Sequence, residues 1–188
     1  MPPVIKYSKD KIIEVSLNLV KERGIESVSA RSIAKELGCS ICPVFSCFES
    51  MDSLKKEIFD NIYEVYIKYV QDSMKRCDKP FKGAGIGYIK FAKEYKNYFK
   101  ALFMNNLNGD LSSFISLDSN NEEMEKNIAA SYKISKENAR KIHEYCWVFV
   151  HGIAVMVATD YCNFEDEQIS EMLSFEYMSL LEKIKKEN

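Results

Sequence analysis

Apolar residues recur with helical spacing along almost the whole chain. The segment Asp52–Arg76 shows this most clearly, because its apolar residues follow one another at intervals of three or four positions and so form a stripe along one face of a helix. No segment sustains the alternation of apolar and polar residues that is typical of a half-buried β-strand. The pattern predicts an all-α protein of about nine helices. The residues of the stripe are Leu54, Ile58, Ile62, Val65 and Tyr69.

Capping residues, prolines and polar segments divide the chain into elements. The segment from Asn106 to Asn121 is rich in Asn, Ser, Asp and Gly and is expected to be a loop. The run from Cys146 to Ala158 is almost entirely apolar, so its helix is expected to be buried on most sides. The other predicted helices are Lys9–Arg23, two short helices between Ser29 and Phe48, one from Pro80, Tyr98–Asn105, one capped by Asn120 or Asn121, one opened by Ser135, and Asp166–Lys186.

The segment Ser29–Phe48 has the form of a helix-turn-helix. Ser29 can cap the first helix, and Gly38 lies where a left-handed residue would end it. Ser40 can cap a second short helix. Two short helices joined by a tight turn with a glycine are the unit that places a recognition helix in the major groove of DNA. The apolar positions of the two helices are Ile33, Ala34 and Leu37, then Val44, Phe45 and Phe48.

This segment resembles the DNA-binding head of the TetR (tetracycline-repressor) family of bacterial transcription regulators. The run of Trp147, His151 and Gly152 is similar to a C-terminal signature found in part of that family. The resemblance implies a helix-turn-helix DNA-binding domain at residues 1–53 and a ligand-binding and dimerisation domain at 54–188. The residues on or near the family pattern are Ser29, Ile33, Ala34, Leu37, Gly38, Ser40, Val44, Phe45, Phe48, Ser53 and Leu54.

The recognition helix, expected at Ile41–Phe48, departs from its family because no residue from Cys39 to Phe48 is charged. Direct readout of bases usually needs Arg, Lys, Asn or Gln. Only Ser40 and Ser46 can form hydrogen bonds to DNA here. Ile41, Pro43 and Val44 are candidates for contact with thymine methyl groups, and Arg31, Lys35, Lys55 and Lys56 remain as phosphate anchors. The candidate DNA-binding residues are Ser29, Arg31, Ser40, Ile41, Cys42, Pro43, Phe45, Ser46 and Lys55.

Pro43 bears on where the recognition helix begins. A proline is tolerated in the first turn of a helix, but it disfavours helical angles at the residue before it, Cys42. A short recognition helix that starts at Pro43 is therefore favoured.

Three of the six cysteines, Cys39, Cys42 and Cys47, cluster around the recognition helix. We expect free thiols that act as small apolar side chains. A thiol-based redox switch is an alternative, and a metal site is another, although the second ligand pair of a zinc site is missing. His143 and Cys146 share a helical face without further ligands in view. We therefore expect neither a metal nor a cofactor.

Aromatic residues of the second half are candidates for an effector site, although an ordinary apolar core would have the same composition. Gly83, Gly85 and Gly87 lack the strand and the Lys-Ser/Thr of a phosphate-binding loop. They indicate close helix packing or room for a ligand. The candidate ligand-binding residues are Tyr66, Tyr88, Phe91, Tyr95, Phe99, Phe103, Trp147 and His151.

Charge and composition narrow the function further. The net charge of the 188 residues is −2, but the chain through Lys56 carries nine Lys or Arg against seven Asp or Glu, a weakly basic head. No apolar run approaches the ~20 residues that span a bilayer, and the N-terminus lacks the apolar core of a signal peptide. We expect a cytoplasmic protein without membrane contact.

The sequence thus predicts a homodimeric transcriptional repressor, paired through its last two helices. It would bind a palindromic double-stranded DNA operator and be released by an unknown small-molecule effector. The alternative is a dimeric small-molecule-binding or protein-interaction module whose head no longer binds DNA specifically. An enzyme is not expected, since the chain offers no nucleophile with its base and no cofactor motif.

Overall fold

A computed structural model of the chain describes residues 7–104 and 120–187, with the side chains of 7–104 and 122–186. Within these ranges the chain forms nine α-helices and no strand, so the all-α prediction is confirmed. A single turn of 3₁₀ helix, Ile25–Ser27, follows the first helix. The helices are α1 Lys9–Arg23, α2 Ala30–Leu37, α3 Cys42–Cys47, α4 Met51–Arg76, α5 Pro80–Glu94, α6 Lys96–Phe103, α7 Asn120–Tyr132, α8 Lys136–Ala158 and α9 Asp166–Glu187.

Most of the predicted helix boundaries agree with the structure to within one or two residues. The Ser135 side chain accepts the Asn138 N–H, as expected for the cap of α8. Helix α4 begins one residue early, because Ser50 and Ser53 cap each other's backbone N–H groups. The expected loop at 106–121 lies largely outside the described residues, and its last two residues already belong to α7.

The described chain forms two compact units. The first comprises the residues through Lys68 together with those from Glu94 to Met104, and so contains α1, α2, α3, the first part of α4, and α6. The second comprises Tyr69–Lys93 and the residues from Asn120 onward, which include α7, α8 and α9. The functional boundary placed between residues 53 and 54 stays a prediction.

In the first unit, α1 packs against α2 and α6, although α6 lies far away in the sequence. The Tyr98 hydroxyl donates to the Leu17 carbonyl at 3.1 Å, and the Asn97 amide donates to the Lys21 carbonyl at 2.9 Å. Burial raises the pKa of Tyr98. Helix α6 is thus held to α1 by apolar packing and by side-chain hydrogen bonds. Fully buried apolar residues of this unit include Ile12, Val20, Ile33, Leu54, Ile58, Ile62 and Phe99.

In the second unit, α8 packs between α7 and α9. One apolar cluster joins the three helices at its centre, and partly buried residues such as Phe81 and Tyr177 pack around it. As expected, most residues of the apolar run Cys146–Ala158 are buried or half-buried, and within this run only Val148 and Gly152 are exposed. The cluster consists of Ile128, Ala139, Ile142, Cys146, Leu181 and Ile184.

Two glycines of α5 allow close approach to the end of α4. A Cβ atom added at Gly83 would lie 2.7 Å from the Met74 Cα, and one added at Gly87 would lie 2.7 Å from the Tyr69 carbonyl oxygen. These atoms belong to the backbone and cannot move aside easily. The interpretation of these glycines as close helix packing is therefore confirmed.

We expect Gly87→Ala to lower the free energy of unfolding by about 1–3 kcal/mol, because the added methyl overlaps the α4 backbone. Urea denaturation measures the loss. Gly85→Ala is the matched control on the same helix: its Cβ would lie 3.2 Å from the tips of the Leu173 and Val150 side chains, which can shift. Equal destabilisation by the two substitutions would contradict the explanation.

Candidate nucleic-acid interface and effector site

The turn between α2 and α3 is set by local chemistry. The Ser29 hydroxyl accepts the Ser32 N–H at 3.1 Å, and the Ser32 hydroxyl accepts the Ser29 N–H at 2.9 Å, a reciprocal cap at the start of α2. Gly38 ends α2 in the left-handed conformation, with φ 66°. The expected roles of Ser29 and Gly38 as helix caps are confirmed.

Helix α3 is short, and its start differs from both predictions. It spans Cys42–Cys47, and its capping residue is Ile41, whose side chain makes no capping hydrogen bond. The expected Ser40 cap is wrong. If Ser40 were the cap, Pro43 would occupy the third helical position, and a proline has no backbone N–H to donate to the capping side chain. The expected start at Pro43 is wrong by one residue, because the Val44 N–H bonds to the Ile41 carbonyl and closes a turn that includes Cys42.

The two sides of α3 differ sharply in exposure. Val44 and Phe48 are buried in the first unit, so the expected contact of Val44 with thymine is wrong. Ile41 is 44% exposed and Phe45 is 49% exposed, although both are large and apolar. Cys42 is exposed as well, and Pro43 is half-buried. The outer face of the recognition helix is therefore mainly apolar.

Few side chains on this face can form hydrogen bonds. The exposed Ser46 hydroxyl donates its proton to the Pro43 carbonyl at 2.8 Å, so its oxygen is left mainly as an acceptor. Ser40 is exposed in the turn before α3. Neither residue can form the paired hydrogen bonds by which longer side chains distinguish guanine or adenine.

Four basic residues flank the helix-turn-helix: Arg31 and Lys35 on α2, and Lys55 and Lys56 on α4. All except the half-buried Lys55 are exposed, and none forms an ion pair with another described residue. Two other cations of this unit are held in ion pairs, since Lys9 pairs with Glu57, and Arg23 pairs with Glu36 at 3.3 Å. Within the described residues, the four cations beside α3 are not held in this way.

All six cysteines are free thiols, as expected. Cys39 and Cys47 are half-buried and donate weakly to the carbonyls of Ser40 and Tyr7. Cys42 is exposed rather than buried. Among the described residues, no group of three or more His, Cys, Asp or Glu side chains is placed to hold a metal ion.

The predicted effector residues fall into both units. In the first unit, the Phe103 ring contacts Tyr66 edge-on at 5.1 Å and Phe99 at 5.3 Å. Tyr95 instead stacks on Tyr98 at 5.3 Å. Phe99 is fully buried and Tyr66 is 8% exposed, so both contribute to the packed core of this unit.

The second unit brings two of the remaining residues, Tyr88 and Trp147, together around His151. Its Nδ1 atom lies 2.9 Å from the Tyr88 hydroxyl, and its ring stacks on Trp147 with centroids 4.8 Å apart. Burial lowers the pKa of His151, so the imidazole is neutral near pH 7. Phe91 is fully buried and contacts the Tyr69 ring edge-on instead.

The sequence did not predict a buried side-chain hydrogen bond between two helices of the second unit. His143 Nδ1 lies 3.3 Å from a Glu125 carboxylate oxygen, and both residues are buried. Sequence spacing relates His143 only to its own helix, α8, whereas Glu125 comes from α7. One signal was available: Glu125 shares a helical face with Ile128 and Tyr132, which places a carboxylate on an apolar face.

In the described part of the second unit, exposed large apolar side chains are concentrated on α8 and α9. Tyr145 and Val148 are half exposed on α8, and Phe175 is 76% exposed on α9. Beside Phe175 runs an open groove of about 610 Å³ between α9 and the start of α5. The groove is lined by Lys82, Ser170, Glu171, Ser174, Phe175, Met178, Ser179 and Glu182.

Comparison with solved structures identifies the fold. A transcriptional regulator from Rhodococcus sp. RHA1 superimposes with a TM-score of 0.67 over 94% of this chain and 97% of its own, at 14% identity. A TetR-like transcriptional regulator from the same organism gives a TM-score of 0.64 over 95% of this chain and 96% of its own, also at 14% identity. The chain has the TetR-like fold.

The TetR-like fold is supported by structure and by the helix-turn-helix residues, not by overall sequence similarity. No protein-family model matches the chain. No curated protein matches it either. Within the described ranges, no helix combines the length and the apolar character needed to cross a membrane.

We expect His151 to make stability fall on acidification. Its pKa in the folded state lies below the ordinary 6.5. As the pH falls, His151 is therefore protonated more readily in the unfolded chain than in the folded one. The contribution of the neutral imidazole is therefore complete above about pH 6.5 and declines as the pH drops toward the folded-state pKa. Urea denaturation of His151→Gln between about pH 7 and pH 5 should show a shallower decline than the unaltered protein.

Tyr88→Phe is the control for that measurement, because it removes the hydroxyl but leaves the half-buried imidazole, and it should keep the steep decline. Parallel pH dependences for the unaltered protein and His151→Gln would show that this histidine does not titrate differently on folding.

Proposed function

We propose that the protein is a homodimeric, effector-responsive transcriptional regulator that binds a palindromic DNA operator. The observation that carries this proposal is the helix-turn-helix itself, with α3 exposed on one side and, beside it, cations without an ion-pair partner among the described residues. Such a regulator works on chromosomal DNA, which agrees with a cytoplasmic location. Repression, rather than activation, is the simplest outcome of occupying an operator.

The cations supply the sequence-independent part of the binding. Arg31, Lys35, Lys55 and Lys56 lack ion-pair partners among the described residues, so binding to phosphates would not have to break existing pairs. Each phosphate neutralised releases counterions, which makes affinity fall steeply as salt rises. A two-fold dimer doubles these contacts and spans two half-sites about one helical turn apart.

The second copy of the chain is proposed to cover the exposed faces of α8 and α9. Tyr145, Val148 and Gly152 follow one another at intervals of three and four residues, as do Phe175 and Met178 together with Glu182. A 3-4 spacing of this kind is typical of helices that pack side by side in bundles. The added Cβ at Gly152 would meet no atom within 4 Å, so this face has room for a neighbouring helix.

The effector is proposed to bind at the Trp147–His151–Tyr88 cluster. A neutral histidine hydrogen-bonded to a tyrosine, next to an indole ring, offers both apolar surface and a few directional polar atoms. Release from DNA requires that the effector bind the DNA-incompetent conformation more tightly. DNA must then weaken effector binding by the same factor.

One observation favours the alternative, a dimeric module whose head no longer binds a specific DNA sequence. Helix α3 carries no charged residue and no amide side chain. This alternative predicts no selected operator and only weak salt dependence.

Selection of operators from a pool of genomic fragments tests the proposal. We expect a palindrome whose affinity falls steeply with salt. Arg31→Ala should weaken binding and reduce the slope of log K against log salt by about one per subunit. Arg23→Ala is the matched control: Arg23 is already paired with Glu36 and should have little effect. A folded protein that enriches no sequence would contradict DNA-binding regulation and support the alternative.

We expect Phe175→Glu to dissociate the dimer, because it places a charge in an apolar interface. Light scattering coupled to size-exclusion chromatography should give the mass of one chain instead of two. Tyr161→Glu is the control, since Tyr161 is equally aromatic and 82% exposed but lies in the turn after α8. A dimer that survives Phe175→Glu would place the interface elsewhere.

A further inference from the structure

We propose that α3 selects its operator mainly by apolar contact of Ile41 and Phe45 with the methyl groups of thymine. This inference rests on the proposed function and specifies the chemistry of the half-site: thymine methyls in the major groove, at positions facing these two side chains. It differs from the usual means of readout, in which charged or amide side chains bond to base edges.

The geometry of α3 supports this assignment. Ile41 and Phe45 are four residues apart, so they lie on the same helical face, and each exposes almost half of its surface. Val44 and Phe48 are buried on the other side and anchor the helix to the core. Two large apolar side chains therefore stand on the outer surface of the helix, where burial against another apolar group is favourable.

Hydrogen-bonded readout from this helix is correspondingly limited. Ser46 donates to the Pro43 carbonyl and is left mainly as an acceptor. The Cys42 thiol is exposed, but a thiol is a weak donor. No side chain between Cys39 and Phe48 can form the bidentate bonds that identify guanine or adenine.

Thymine supplies the complementary surface. Its C5-methyl is an apolar group in the major groove that A·T and T·A pairs present and that G·C and C·G pairs lack. The phosphates on either side of that groove would meet Arg31, Lys35, Lys55 and Lys56, which form no ion pair with another described residue. An apolar centre with a positive rim fits a thymine-rich major groove better than it fits a protein surface, because a protein offers no regular rows of negative charge.

Replacement of thymine by deoxyuridine tests the proposal, because uracil lacks the methyl but keeps every hydrogen-bonding group of thymine. The full-length protein is titrated with its selected operator and with duplexes in which thymines of the half-sites are replaced singly and together. We expect each contacted methyl to contribute roughly fourfold in affinity, the factor that corresponds to one buried methyl-sized group. The salt slope should not change, since the phosphates are untouched.

Two variants connect the effect to the named side chains. In Ile41→Ala and Phe45→Ala, binding to the thymine operator should weaken, and the deoxyuridine penalty at the facing position should shrink toward onefold. Both residues are half exposed, so these variants should fold, which circular dichroism and denaturation will verify. Ser46→Ala on the same helix is the comparison: loss of this polar side chain can weaken binding to both operators, but it should leave the full ratio between the thymine and deoxyuridine affinities.

The outcomes separate this inference from the proposed function. Equal affinity for thymine and deoxyuridine operators, with a palindrome recovered, would overturn the methyl-based inference and leave DNA-binding regulation intact. A selected operator without thymine in its half-sites would do the same. Failure to bind any duplex specifically would overturn both, and would assign the Ile41–Phe45 face to a protein partner.

Discussion

Burial of the apolar stripe along α4 is the interaction on which the rest of the structure depends. Leu54, Ile58 and Ile62 are fully buried in the first unit, which also contains the helix-turn-helix. The last part of the same helix belongs to the second unit, and there Gly83 and Gly87 let α5 approach its backbone. The helix therefore contributes to both units, through its buried apolar side chains in the first and through its closely approached backbone in the second.

The proposed DNA-binding surface combines two kinds of chemistry that are separated in space. Short-range caps, the Ser29–Ser32 pair and the left-handed Gly38, fix where α2 begins and ends and cost little to form because their partners are close in sequence. Positive charge lies on α2 and α4, whereas the exposed face of α3 is apolar. Affinity and sequence selection are thus assigned to different side chains, a division that is general among DNA-binding proteins.

The second unit places polar groups among apolar ones at two positions. The Tyr88 hydroxyl and His151 Nδ1 form a hydrogen bond at 2.9 Å, and His143 Nδ1 and a Glu125 carboxylate oxygen form one at 3.3 Å. Each pair joins two helices, and the loss of either partner would leave the other without its hydrogen bond in a poorly hydrated site. Burial also raises the pKa of the neighbouring Cys146 thiol to about 12, with a contribution from Glu176, so this cysteine stays protonated and unreactive.

The sequence by itself determined the helices, because periodicity and caps act over a few residues: α1 has the predicted bounds, and Ser29, Gly38 and Ser135 cap as expected. It did not determine the start of α3, where Pro43 and the turn from Ile41 outweigh the local preference of Ser40. Only the tertiary structure decided that Glu125 meets His143, that the candidate effector residues divide between two units, and that Val44 is buried while Phe45 is exposed. These facts depend on contacts between helices far apart in the chain, and no spacing within a single helix encodes them.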